Sequence, residues 1–96
     1  MGYYIESIDI NKKVYMEINR LRWASRRGML ELDLVLQPFL DNVYPGLDEQ
    51  DQERFHILLD GEDQDLFRWF LGKESPDDPE LRKIVDIIIE NTGLRT

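Results

Sequence analysis

The stretch Trp23-Ala24-Ser25-Arg26-Arg27-Gly28-Met29-Leu30-Glu31-Leu32-Asp33 decides the fold, because it carries one helix end and the next helix start with almost nothing between them. Upstream, Val14, Ile18, Leu21 and Ser25 recur at helical spacing with Trp23 and Ala24 beside them, which predicts a helix from Asn11 or Lys12 to Arg26. Arg26 and Arg27 fall in its last turn, where cations suit the negative end of the helix dipole. Gly28 stands where a left-handed C′ residue is needed. Downstream, Met29 opens a second helix with Leu32, Val35, Leu36, Phe39, Leu40 and Val43 toward a core, and Glu31, Asp33, Gln37 and Asp41 toward water. Pro38 interrupts that pattern. It removes a backbone donor and crowds the preceding turn, at ~3 kcal/mol in a straight helix, so a kink or a short break is predicted near Gln37.

The rest of the chain is cut by turn signals into three more helices. Tyr44-Pro45-Gly46 closes the second. Asp48 is the N-cap of a third, with Asp51 three residues on in a weak capping box, and Phe55, Leu58 and Leu59 form its apolar face with Ile57 alongside. Asp60-Gly61 ends it. A fourth, short helix from about Asp63 carries Leu66, Phe67, Trp69 and Phe70 and stops at Gly72. Asp78-Pro79-Glu80 is the clearest start of all, a cap followed by proline at the first helical position. Leu81, Ile84, Val85 and Ile88 supply the buried stripe of that fifth helix, and Gly93 marks its end. The run Ile87-Ile88-Ile89 is β-branched, but the cap and the helical stripe outweigh it. Five short helices on brief connectors predict an all-α fold, a compact bundle.

Composition narrows the functional classes. The 96 residues suffice for one domain, and 42% hydrophobic content fills one core. Residues 16–96 read as a single helical domain. Residues 1–15 read as an N-terminal extension, either a disordered tail or a product of start-site choice with Met16 as the initiator, and carry no assigned function. Cysteine is absent, which removes disulfides, thiolate nucleophiles and cysteine-based zinc sites and favours a cytoplasmic location. No run approaches the ~18 apolar residues of a membrane span, so no membrane insertion is expected. The net charge of -8 is uneven: residues 1–28 carry +3 and residues 29–96 carry -11. An acidic body disfavours nucleic acid. The basic stretch Lys12, Lys13, Arg20, Arg22, Arg26 and Arg27 is either a solvated helix face or a contact patch for an acidic protein surface.

Catalytic and cofactor chemistry finds no foothold. His56 is the only histidine and has no cysteine or nearby serine to activate. The acidic residues fall at caps and on exposed faces. Neither a glycine-rich phosphate loop nor a Glu-x-x-His pair is present. No metal or bound cofactor is therefore expected. The segment from Arg26 to Glu31 has two readings by spacing alone, a helix stop and start or a contact surface. Asp65-Leu66-Phe67-Arg68-Trp69-Phe70 is dense in aromatics, and the sequence leaves open whether Trp69 and Phe70 are core or interface.

The deciding stretch followed by Pro38-Phe39 resembles the signature of the SdhE (YgfY) family, which is similar to mitochondrial succinate dehydrogenase assembly factor 2. The Arg-Gly-x-x-Glu motif of that family is met by Arg27, Gly28 and Glu31, and its Asp-Leu-Phe-x-Trp segment by Asp65, Leu66, Phe67 and Trp69. The resemblance covers about Met16 to Asn91. It implies a factor that binds the flavoprotein subunit of succinate dehydrogenase, and in some bacteria fumarate reductase, and promotes covalent attachment of FAD to a histidine of that partner. FAD is then the partner's cofactor. A monomer when free is expected. The resemblance places Arg27, Gly28 and Glu31 in the contact surface, and Arg26, Trp23 and Asp33 of the same signature are taken with them. Arg27 would grip a partner carboxylate with two prongs, Gly28 would admit the partner's backbone, and Glu31 would orient Arg27 or accept from the partner. An alternative from the same family is an antitoxin (CptB-like) role against a small membrane-associated toxin. Nucleic-acid binding through the basic first helix is a third reading, and an enzyme comes last.

Overall fold

Helix periodicity governs every element of the computed structural model, which describes residues 18–92. Helix α1 occupies residues 18–25, α2 Leu30–Asn42, α3 Glu49–Leu59, α4 Asp63–Phe70 and α5 Pro79–Thr92, with a single 3-10 turn at Tyr44–Gly46. No strand occurs among the described residues. The predicted start of α1, the extension at residues 1–15 and the stop at Gly93 lie outside them.

Local chemistry explains most boundaries. The Asp48 side chain accepts the Asp51 amide at 2.8 Å and caps α3. The Asp78 side chain accepts the Glu80 amide at 2.9 Å, one residue ahead of the Pro79 start expected for α5. Gly28 has φ +77° and Gly72 φ +75°, the left-handed conformations that free the chain after α1 and α4. Helix α1 ends at residue 25, one residue earlier than predicted, so Gly28 sits one position beyond the C′ site.

Pro38 does not break α2, which runs unbroken from Leu30 to Asn42. The carbonyl deprived of a donor belongs to Leu34, one turn back. Leu34 is 65% exposed and Pro38 is exposed as well, so the gap opens on the solvent face of the helix. Water can satisfy that carbonyl, while the opposite face holds the helix to the core.

That core joins all five described helices, α1 through Leu21. Leu32, Leu36 and Phe39 of α2, Phe55 and Leu58 of α3, Leu66 of α4, and Ile84 and Ile88 of α5 are essentially sealed from water. Each such side chain contributes about 1.5–3 kcal/mol by leaving water. The Phe55 ring tilts against Phe39 at 5.3 Å and Tyr44 at 5.4 Å between centroids, linking α2, the 3-10 turn and α3. Helix α3 packs chiefly on α5. Ile89 joins the buried stripe of α5, and Leu81 is half-buried at its margin. The open question over the aromatic segment is answered: Phe70 is buried, and Phe67 and Trp69 pack on the core at its edge.

Helix α1 is held against α2 by mixed contacts. Leu21 enters the core, Arg22 pairs with Asp41 at 2.7 Å, and the Gln37 amide donates to the Arg22 carbonyl at 3.2 Å. Gln37 is therefore half-buried glue between two helices, not a water-facing residue. Ser25, at the end of α1, is sealed from water.

Candidate partner-binding site

The turn between α1 and α2 is built around one guanidinium. Arg27 Nε donates to Asp63 Oδ1 at 2.7 Å, at the start of α4. Its Nη1 donates to the Ala24 carbonyl and to the Leu59 carbonyl, each at 2.9 Å. Its Nη2 donates to the Gly61 carbonyl at 2.5 Å. The Leu59 and Gly61 carbonyls belong to the C-terminal end of α3 and the corner after it, where backbone acceptors lack helical partners. A rigid, planar cation with a fork of donors suits that set of diverging acceptors better than an ammonium would.

The backbone of the turn is fixed from the other side. The Arg27 amide donates to Asp33 Oδ1 at 2.7 Å, so Asp33 reaches back from α2 to hold the residue before Gly28. Met29 is the N-cap of α2 in extended conformation and offers no side-chain cap. Glu31 and Asp33 bring negative charge to that uncapped helix start, which the dipole favours.

The six residues expected at a contact surface thus divide. Arg27 and Asp33 turn inward: the Arg27 side chain is only 14% exposed, and four of its N–H bonds are engaged within the chain. No pair of donors remains for a two-pronged grip on a partner carboxylate. Trp23, Arg26, Gly28 and Glu31 turn outward. Trp23 is 74% exposed, with the Arg26 guanidinium 6.0 Å from its ring centroid. Gly28 faces open space, since a Cβ there would meet no atom within 4 Å. Its requirement for glycine comes from φ alone.

Sequence reasoning missed two parts of this region. Leu30 and Leu34, exposed at 67% and 65%, add apolar surface on the first turns of α2. Asp63 and Gly61, the second part, are 36 and 34 residues from Arg27. Gly61 sits in a tight corner, where a Cβ would lie 3.0 Å from Leu66 Cδ1 and 3.1 Å from the Leu58 carbonyl oxygen and would need these neighbours to give by a few tenths of an ångström.

Other sites carry less. His56 Nε2 lies 2.7 Å from the Tyr44 hydroxyl, so the lone histidine takes part in a side-chain hydrogen bond at the edge of the core. Arg54 bridges Asp51 and Glu80 and ties α3 to α5. The hydrogen bond from Arg54 holds the Glu80 carboxyl below the usual carboxylate range, against a smaller opposing effect of desolvation. No helix among the described residues is long and apolar enough to cross a membrane. No cluster of metal-ligating side chains is present among the described residues.

Comparison with known proteins gives the family. A family model described as the flavinator of succinate dehydrogenase matches residues 19–92. The FAD assembly factor SdhE of Pseudomonas aeruginosa is 55% identical over 74 residues, covering 77% of this chain and 88% of that protein. The protein of the same name from Shewanella oneidensis is 56% identical over 70 residues, covering 73% of this chain and 85% of its own length. A more distant relative, the FAD assembly factor SdhE of Idiomarina loihiensis, is 44% identical over 70 residues, or 73% and 78% of the two chains. With a family model matching residues 19–92 and a relative 55% identical over 74 residues, the chain belongs to the succinate dehydrogenase flavinator family.

Proposed function

We propose that this protein is an assembly factor that binds the flavoprotein subunit of succinate dehydrogenase in the cytoplasm and promotes covalent attachment of FAD to it. The observation that carries the reading is the match to the flavinator family across residues 19–92. The family description and the names of the relatives favour FAD assembly over the antitoxin role. The fumarate reductase flavoprotein is a second client for the same surface. FAD stays on the partner, and the factor itself is a monomer when free and not an enzyme.

The chemistry asked of such a factor is selective binding. A surface that prefers one conformer of the flavoprotein shifts its population tenfold for every ~1.4 kcal/mol of preference. Trp23, Leu30 and Leu34 supply apolar area, and Arg26 and Glu31 supply one charge of each sign for register. Gly28 lets the partner approach the backbone of the turn, with nothing of this chain in the way.

Flavin fluorescence of the denatured flavoprotein subunit, in a strain lacking the gene, tests the reading. Wild-type protein should restore the covalent flavin signal, and Gly28→Arg, folded by circular dichroism, should not. Restoration by a folded Gly28→Arg protein would sink the proposal.

A further inference from the structure

Among the described residues, the clamp on the α1–α2 turn that comes from another part of the fold is the corner between α3 and α4. We infer that Asp63, with the Gly61 and Leu59 carbonyls, is a positioning element of the docking surface, acting through Arg27 and touching no partner itself. This rests on the reading that the surface around Gly28 meets the flavoprotein.

The geometry carries the argument. Arg27 sits between two outward-facing contact residues, Arg26 and Gly28, so its side chain fixes where both point. Three of its four hydrogen bonds go to the α3–α4 corner and one to α1. Asp33 holds only the backbone amide of the same residue. The charged bond to Asp63 is the one partner of the guanidinium that a side-chain substitution can remove, the others being backbone carbonyls. With it gone, Arg27 retains neutral acceptors and the fold retains its core, because Asp63 is no part of the buried apolar cluster. What loosens is the turn. A loop that must be ordered on binding loses affinity relative to one already held in its bound shape.

Asp63→Ala separates the possibilities, with Arg68→Ala as the control on the same helix, since Arg68 pairs only with neighbours Asp65 and Glu74. Hydrogen exchange of the Arg26 and Arg27 amides, the hydrogen-bonded ones in residues 26–29, should quicken about tenfold in Asp63→Ala, the ratio that losing one charge-assisted bond brings. Affinity for the purified flavoprotein subunit of succinate dehydrogenase should fall by a similar factor while far-UV ellipticity is unchanged. Asp63→Glu, which restores the carboxylate, should recover part of both. Arg68→Ala should change neither. Should Asp63→Ala fail to fold, Asp63→Asn carries the same readings, keeping the acceptor oxygen and losing the charge. Unchanged exchange of the Arg26 and Arg27 amides overturns the inference whether or not the flavoprotein binds. Quickened exchange with undiminished affinity overturns it too, while a wild-type protein that does not bind the flavoprotein overturns the functional proposal instead.

Discussion

At the scale of single residues, Arg27 shows how a motif residue can be committed to contacts within its own chain. Spacing alone made it a helix-end cation or a contact residue, and the structure makes it a tie among α1, α3 and α4. Arg27→Ala leaves three backbone carbonyls and the Asp63 carboxylate without their donor, and should destabilise the fold by about 3 kcal/mol. Arg27→Lys should recover less than half of that, since one ammonium cannot reach acceptors lying in four directions. Urea melts of the two variants check this, and equal stability of lysine and arginine would contradict the geometry. Gly28 was legible from sequence because a positive φ is a local demand. The Arg27–Asp63 pair was not, because nothing within a turn of either residue betrays a partner 36 positions away.

At the scale of elements, caps and stripes were readable and exceptions were not. Asp48 and Asp78-Pro79 act within three residues of themselves, so their helices begin where the sequence places them. Of the kink and the break that Pro38 predicts, the continuous α2 excludes the break, because the cost of the proline depends on which face of α2 it occupies, and that face is set by the packing of distant helices. Trp69 and Phe70 needed the same information before they could be assigned to the core. The α3–α5 pairing carries a pH signature through Glu80. A carboxyl depressed by its bond from Arg54 contributes stability above its unfolded-state pKa, and that contribution is lost as pH falls through its lower folded-state value. Glu80→Gln should therefore lower the melting temperature at neutral pH, and the gap to wild type should close as the solution is acidified below the ordinary carboxylate range. A gap that stays constant across a pH series of thermal melts would show that the charge of Glu80 is not what holds Arg54.

At the scale of the whole molecule, one core serves all the described helices, and the proposed contact surface lies at one end of α1 and the start of α2. Phe55 lies at the hub of that core, against Phe39 and Tyr44. Phe55→Ala should lower stability by about 3–5 kcal/mol, with unfolding still a single transition, as calorimetry can verify. Loss of cooperativity would mean that the helices are stabilised in separate groups. The bond between Arg27 and Asp63 also has a temporal consequence. Residues 23–34 leave the ribosome well before Asp63 does, so a growing chain displays the α1–α2 segment without the corner that shapes it. The finished turn exists only after α3 and α4 have been made.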